Sequence, residues 1–202
     1  MIRKAQEKTI ASSYAVQKAP KLTSLEKAML KWVTVDPDDR LLDVNIGNGM
    51  MAEYLRRNML CEVCGVSDCM EHVRMARSRL RSCDIVYASS GDIPWKKDAF
   101  DTVLMRLAGE EEEILRRMLC EALRVLRPGG QLILGAACYP AAINAISSLF
   151  TDPMEDDRNI FCKKRLIRLL EEARFADVTW QRTGLGSAVL IAWKERKQQE
   201  AI

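Results

Sequence analysis

Two things are scarce in this sequence of 202 residues: long apolar runs and an excess of charge of one sign. No run approaches the roughly 20 apolar residues that a membrane span needs, and the first residues lack the apolar core of a signal peptide. Lysine and arginine number 31 against 28 aspartate and glutamate, a surplus too small to indicate a nucleic-acid surface. We therefore expect a cytoplasmic protein with neither nucleic acid nor membrane among its partners.

The composition predicts one domain over residues 1–202. Apolar residues make up 48% of the chain, enough to bury a good core, and no internal repeat or low-complexity tract divides it. Residues 1–20 are polar and end at a proline, so we expect an N-terminal arm. A core over 21–195 and a polar tail over 196–202 follow.

Seven cysteines, an odd number in a chain without an export signal, indicate reduced thiols rather than disulfides. Four metal-ligand types are spaced as Cys61-x2-Cys64-x4-Cys69-x2-His72, which looks like a zinc site. Residues 61–66 have the pattern of a strand, however, and strand side chains point alternately to opposite faces. Cys61 and Cys64 would then lie on different sides of a sheet, and we expect buried thiols and no metal.

Short apolar runs alternate with amphipathic segments from residue 40 onward, which predicts an α/β fold with a parallel sheet and helices on both faces. Thr23-Ser-Leu-Glu26 matches a capping box at the start of a first helix. Two further strands, 177–183 and 188–194, flank Gly184-Leu-Gly-Ser187 and predict a terminal β-hairpin. The other predicted strands are 40–44, 61–66, 84–88, 100–105 and 131–137, and the later helices are about 49–59, 70–80, 110–126 and 163–173.

Three segments occur in an informative order: Arg40-Leu-Leu-Asp-Val-Asn-Ile-Gly-Asn-Gly49, Phe100-Asp-Thr-Val-Leu-Met-Arg106 and Leu123-Arg-Val-Leu-Arg-Pro-Gly-Gly-Gln-Leu-Ile-Leu134. This order resembles that of the class I S-adenosylmethionine-dependent methyltransferases, where the pieces read roughly D-x-G-x-G-x-G, F-D-x-V and L-x-P-G-G. The resemblance runs from about Arg40 to Lys194. It implies a Rossmann-like, doubly wound, mostly parallel seven-stranded sheet with a C-terminal antiparallel hairpin.

The resemblance implies a cofactor at the loop after strand one, since ligands of open α/β sheets bind at the carboxyl ends of the strands. Gly47 and Gly49 keep two of the family's three glycines, with Asn48 between them. Asn45 replaces the first glycine, and asparagine tolerates the left-handed conformation that such a turn uses. Asp43 would orient the loop and reach the cofactor's amino group through water. Alternatively, Asp43 and Asn45 only satisfy backbone donors in a tight turn.

At the end of strand two the family has an acidic residue that accepts hydrogen bonds from both ribose hydroxyls. Ser67 aligns with that position, and Asp68 follows it. A serine cannot bind a diol bidentately as a carboxylate does. Asp68 either replaces it after a one-residue shift of the backbone, or caps the next helix with Glu71 at the third position.

The segment Ser89-Ser-Gly-Asp-Ile-Pro-Trp95 resembles the family's G-D-x-x-D-L-P-F stretch. Asp92 keeps the second acidic residue and Ile93 would contact the adenine, while Ser89 stands where the first acidic residue would accept a bond from the adenine amino group. The tryptophan is expected to be a packed hydrophobic residue. Arg106 ends strand four beside the expected methyl group. It would suit an anionic substrate or the cofactor carboxylate, or else be a solvated strand end.

The resemblance implies a methyltransferase that takes a methyl group from S-adenosylmethionine, transfers it to an unidentified small molecule and releases S-adenosylhomocysteine. Methyl transfer from a sulfonium needs proximity and a dry site rather than a base, so no catalytic residue is assigned and His72 is not proposed as one. In such a protein the acceptor would lie against residues 1–20 and about 139–162. The oligomeric state stays open, a homodimer being one option.

Two alternatives remain at this point. Asn45, Ser67 and Ser89 remove one glycine and two carboxylates from the usual cofactor shell, which fits a degenerate, non-catalytic binding or regulatory protein. A less favoured NAD-dependent enzyme would use Gly47-x-Gly49-x-x-Ala52 as its dinucleotide fingerprint, with Asp68 at the ribose. The methyltransferase-like segment order and the terminal hairpin speak against that enzyme.

Overall fold

The computed structural model describes residues 21–59, 61–107, 109–137, 163–184 and 187–196. The predicted N-terminal arm, residues 1–20, and the 139–162 segment lie outside these ranges. The strands are β1 Arg40–Val44, β2 Glu62–Ser67, β3 Ile85–Tyr87, β4 Phe100–Arg106, β5 Leu126–Ala137, β6 Ala176–Gly184 and β7 Ser187–Trp193. The helices are α1 Ser24–Leu30, α2 Met50–Met59, α3 Met70–Arg79, α4 Glu112–Val125 and α5 Lys163–Glu172. None of these helices has the length and apolar character needed to cross a bilayer.

The seven strands form one sheet in the order β3-β2-β1-β4-β5-β7-β6. Strands β1 to β5 pair in parallel, and β7 runs antiparallel to both β5 and β6. The predicted doubly wound, mostly parallel sheet with a terminal antiparallel hairpin is therefore confirmed. Strand β1 has β2 on one side and β4 on the other, so the strand order reverses there. The carboxyl ends of β1 and β4 border the crevice in which such sheets bind ligands.

Apolar side chains form one layer on each face of the sheet. The layer beneath α4 and α5 includes Leu115 and Cys64, and the opposite layer, beneath α1 to α3, includes Met51 and Cys61. The two cysteines thus lie on opposite faces, as the strand alternation predicts. Burial raises the pKa of both thiols, that of Cys64 to about 12. Within the described ranges, no three or more histidine, cysteine or acidic residues cluster as metal ligands would.

Helix α1 is anchored at its start and along its side. The predicted capping box is confirmed: Thr23 Oγ1 accepts a bond from the Glu26 amide at 3.2 Å, and the Thr23 amide donates to Glu26 Oε2 at 2.8 Å. A Cβ atom on Gly135 of β5 would lie 2.5 Å from Met29 Sδ and 3.2 Å from Leu25 Cγ. Only glycine lets α1 approach β5 this closely, and this contact fixes where Glu26 stands.

Candidate functional site

The loop after β1 turns through residues with positive φ. These are Asn45 at 59°, Gly47 at 58° and Gly49 at 77°. Asn45 therefore adopts the left-handed conformation predicted for it. The Asn48 Oδ1 atom accepts a bond from the Met50 amide at 3.1 Å, at the first residue of α2. The loop thus leads directly into the amino terminus of α2.

The loop after β1 is packed closely against β2 and α3. The Ile46 side chain is fully buried and lies over Gly65 of β2, where an added Cβ would be 2.2 Å from Ile46 Cδ1. A Cβ on Gly49 would lie 3.0 Å from the Cα of Ala76 in α3, so glycine permits α2 and α3 to meet here. At Gly47, by contrast, an added Cβ would have no neighbour closer than 3.8 Å. The loop backbone is therefore rigidly supported from behind and open at Gly47.

Arg106, at the end of β4, binds across the loop to three partners. Its Nη1 donates to Glu26 Oε1 at 2.5 Å, and its Nη2 donates to the Asn45 carbonyl oxygen at 2.7 Å and to Asp43 Oδ1 at 3.3 Å. Its side chain is 20% exposed. The interpretation of Arg106 as a solvated strand end is therefore wrong. The interpretation of Asp43 as a partner of backbone donors alone is also wrong, since its bond goes to a guanidinium group.

The cluster of Glu26, Asp43 and Arg106 places two carboxylates against one guanidinium group, leaving one negative charge in excess when both acids are ionised. Burial raises the pKa of Asp43 to about 6; the Arg106 charge opposes this rise and the Glu26 charge adds to it. Among the described residues, two buried side-chain atoms in this cluster have no hydrogen-bond partner: Asp43 Oδ2 and Arg106 Nε. An unpaired acceptor and an unpaired donor thus lie within one ion pair, and each is costly to leave unsatisfied.

The end of β2 contradicts one of the two alternatives for Asp68, the helix cap. Ser67 is 2% exposed, and its Oγ accepts a bond from the Cys69 amide at 3.1 Å. Cys69 is the N-cap of α3 and makes no side-chain cap bond, so the prediction that Asp68 caps this helix together with Glu71 is wrong. Asp68 instead leaves its carboxylate exposed beside Ser67. His72 lies exposed on α3.

The turn after β3 carries the third group of predicted residues. Ser89 Oγ accepts a bond from the Gly91 amide at 3.2 Å, and the Ser89 carbonyl accepts one from the Asp92 amide at 3.1 Å. The Asp92 side chain is exposed, whereas Ile93 is 2% exposed and its side chain belongs to the core. The turn therefore presents Asp92 outward and uses Ile93 as its anchor.

Two residues of α4 hold this turn, and sequence reasoning missed both. Glu121 accepts a bond from the Ile93 amide at 2.8 Å, and Arg124 donates to the carbonyl oxygens of Ile93 and Trp95 at 2.8 and 2.7 Å. The Trp95 ring packs edge-on against Phe100 with centroids 5.5 Å apart, which confirms it as a packed hydrophobic residue. A helical Glu–x–x–Arg pair carries no sequence signal for such a distant contact.

The carboxyl ends of neighbouring strands bring the predicted residues together along one edge of the sheet. β1 and β4 contribute Asp43, Asn45, Gly47, Asn48, Gly49 and Arg106; β2 contributes Ser67 and Asp68; and the turn after β3 contributes Ser89, Asp92 and Ile93. Glu26 is an addition that the sequence did not indicate, because the capping box already accounted for its presence.

A groove of about 940 Å³ lies at the opposite edge of the sheet, bordered by Gly129, Ala176, Trp193 and Lys194. It contains none of the predicted residues. It is lined by the start of β6 and the end of β7, far from the loop after β1. We do not assign the candidate site to this groove, because the unpaired polar atoms, Asp43 Oδ2 and Arg106 Nε, lie at the carboxyl edge of the sheet.

Comparison with known proteins agrees with this geometry. A family comparison matches a methyltransferase domain to residues 42–134, which run from within β1 to within β5. The demethylmenaquinone methyltransferase of Tropheryma whipplei (strain Twist) is 25% identical over 189 residues, covering 81% of this chain and 77% of that protein. Two solved structures share the fold at 20% identity. A SAM-dependent methyltransferase from Methanosarcina mazei has a TM-score of 0.68 over 84% of this chain and 98% of that one, and the [4+2]-cyclase SpnF has 0.71 over 89% and 85%. In its ordered segments, its sheet and the matched domain, the chain is similar to the class I S-adenosylmethionine-dependent methyltransferases.

Proposed function

We propose that this chain binds S-adenosylmethionine along the carboxyl edge of β1 to β4 and transfers its methyl group to a small-molecule acceptor. The observation that carries the proposal is the Asp43–Arg106 pair, whose unpaired acceptor and donor match the ammonium and carboxylate of an amino acid. S-adenosylmethionine presents such an amino-acid group at one end. A methyl acceptor of low molecular weight agrees with the relative named for a quinone precursor.

The residues at the carboxyl edge of β1 to β4 would contact the cofactor along its whole length, from the methionyl group to the adenine. Gly47 is open enough for a ligand to approach the loop backbone. Asp43, Arg106 and the Asn45 turn face the methionyl end, where Asn48 and Gly49 lead into α2. These residues would hold the amino-acid group.

At the other end, the residues after β2 and β3 would hold the nucleoside. Ser67 uses its oxygen as an acceptor for the Cys69 amide and keeps its O–H to donate, while Asp68 supplies an exposed carboxylate for the ribose. Asp92 would accept a bond at the adenine end, on a turn that Ile93 anchors in the core.

When bound, the cofactor supplies a methyl group on a positively charged sulfur that is itself a good leaving group. The protein then needs to hold the acceptor in line and to exclude water. The excess negative charge of the Glu26–Asp43–Arg106 cluster favours a cationic sulfonium nearby, and in a partly buried site this attraction is stronger than in water. The described residues thus supply orientation and electrostatics rather than proton transfer.

Calorimetric titration of the purified protein with S-adenosylmethionine, S-adenosylhomocysteine and, separately, NAD tests this proposal. Micromolar binding of both sulfur ligands supports it, and an Asp43→Asn variant should then bind about 10-fold or more weakly because a charge-assisted hydrogen bond is lost. Asp38→Asn, which removes an exposed carboxylate from the turn before β1, is the matched control. Absence of heat at millimolar ligand from folded protein would contradict the proposal, and binding of NAD alone would favour the dinucleotide-dependent alternative.

A further inference from the structure

Arg106 covers the Asp43 carboxylate. Asp43 is fully buried, and among the described residues only its Oδ1 has a partner, Arg106 Nη2, at 3.3 Å. The same Nη2 bonds the Asn45 carbonyl and lies 3.8 Å from the position of a Cβ on Gly47. The guanidinium group therefore occupies the space between Asp43 and the open part of the glycine loop.

The two carboxylates do not hold Arg106 equally. The contact with Glu26 is short, 2.5 Å, and that with Asp43 is long, 3.3 Å. The other oxygen of Glu26 is held by the Thr23 amide at 2.8 Å, and α1 itself is fixed against Gly135 of β5. Glu26 is thus a rigid anchor, whereas the bond between Arg106 and Asp43 is the weaker one.

The contact between Arg106 and Asp43 leaves some of the hydrogen-bonding groups of both side chains without partners among the described residues. Within the part of the chain that the structure describes, Asp43 Oδ2 lacks a donor and Arg106 Nε lacks an acceptor, although both atoms are buried. An arrangement in which each finds a partner is favoured over this one, because unsatisfied buried groups carry a desolvation cost. A ligand that brings an ammonium and a carboxylate supplies both missing partners.

We propose that Arg106 is an internal cation that occupies the ammonium position at Asp43 until the ligand arrives. The ligand ammonium displaces Arg106 Nη2 from Asp43, and Arg106, still held by Glu26, turns its Nε toward the ligand carboxylate. The exchange replaces one cation at Asp43 by another, so the buried carboxylate is never left without a positive partner. Glu26 is a positioning residue, because it acts on the ligand only through Arg106. This inference rests on the proposed function and adds how the amino-acid end of the cofactor is admitted.

Truncated ligands test the exchange. The probes are S-adenosylhomocysteine, its analogue without the carboxylate and its analogue without the amino group, each titrated by calorimetry. Wild-type protein should bind either analogue about 10- to 100-fold more weakly than S-adenosylhomocysteine, the range of one charge-assisted hydrogen bond. In Arg106→Gln the penalty for removing the carboxylate should fall to about threefold or less, while in Asp43→Asn the penalty for removing the amino group should fall in the same way.

Glu26→Gln tests the positioning role separately. With Arg106 no longer fixed by a charged partner, the penalty for removing the ligand carboxylate should shrink but not vanish, and the penalty for removing the amino group should stay. Arg57→Gln is the matched control for Arg106→Gln, since it removes an exposed guanidinium group of α2. It should leave both penalties at their wild-type values. In ¹⁵N-arginine-labelled protein, the Nε–H resonance that is missing in Arg106→Gln should shift with S-adenosylhomocysteine and not with the carboxylate-free analogue.

The outcomes separate the two proposals. If S-adenosylhomocysteine binds but Arg106→Gln keeps the wild-type carboxylate penalty, the exchange is overturned and the proposed function stands. If Arg106→Gln loses the penalty and Glu26→Gln keeps it in full, the positioning role of Glu26 is overturned. If folded protein binds none of the sulfur ligands, the proposed function fails and the exchange fails with it.

Discussion

The buried Asp43 carboxyl should leave a measurable mark on stability. Its pKa rises from an ordinary value of 3.8 to about 6 in the folded protein, mainly because burial disfavours the ionised form. Between these values the folded state holds a proton that the unfolded state has released, so the contribution of Asp43 to stability falls as pH rises from about 4 to about 6. The difference corresponds to about 3 kcal/mol. Above about pH 6 the protein bears this whole cost.

The Asp43→Asn variant isolates this effect. Other carboxylates act in the opposite sense, since Arg40 lowers the pKa of Glu62 and Arg124 lowers that of Glu121. The dependence of wild-type stability on pH is therefore the sum of opposing contributions. The informative quantity is the unfolding free energy of Asp43→Asn minus that of wild type. It should increase by about 2.5 kcal/mol between about pH 4 and pH 7, whatever constant offset the asparagine introduces.

Urea unfolding, followed by circular dichroism at several pH values in this range, measures both curves. Asp38→Asn, which removes an exposed carboxylate from the turn before β1, is the control for the loss of an acidic side chain. Parallel curves for Asp43→Asn and wild type would refute the reasoning, because they would mean that Asp43 has the same proton affinity in the folded and unfolded states. A difference that decreased with pH would refute it more strongly, by showing that Arg106 outweighs burial.

Three further predictions concern the same edge of the sheet. Gly65→Ala should cost about 1–3 kcal/mol in urea unfolding, because its Cβ meets Ile46 Cδ1 at 2.2 Å. Ile46→Ala should lower the free energy of unfolding less in the Gly65→Ala variant than in wild type, because it removes the clashing atom. If the two losses were additive, the predicted contact between residues 46 and 65 would be wrong. Gly49→Ala should cost about 2–4 kcal/mol, since it adds a Cβ at a φ of 77° and against the α3 backbone. Gly91→Ala, whose added Cβ meets only ordinary contacts, should stay within about 0.5 kcal/mol. Affinity for S-adenosylhomocysteine should fall by up to about tenfold per pH unit below about pH 6, where Asp43 becomes protonated, and calorimetry of Asp43→Asn should show no such fall.

Local patterns in the sequence determined much of this protein. The alternation of strands and helices, the capping box at Thr23, the left-handed turn at Asn45 and the opposite faces of Cys61 and Cys64 all follow from short-range sterics and strand or helix periodicity. The order of the three family segments also predicted the mostly parallel seven-stranded sheet and the edge at which the candidate residues meet.

The tertiary structure decided which polar groups meet. Glu26 and Arg106 are 80 residues apart in the sequence, and they touch because Gly135 admits α1 to the face of the sheet. Arg124 likewise donates to the carbonyl oxygen of Ile93, which is 31 residues away in the sequence. No local pattern encodes such contacts, because a charged side chain on a helix or at a strand end is equally compatible with solvent until packing brings a partner to it. The sequence therefore predicted which edge of the sheet carries the candidate site, and the folded chain alone decided that the guanidinium group of Arg106 lies against the buried carboxylate of Asp43.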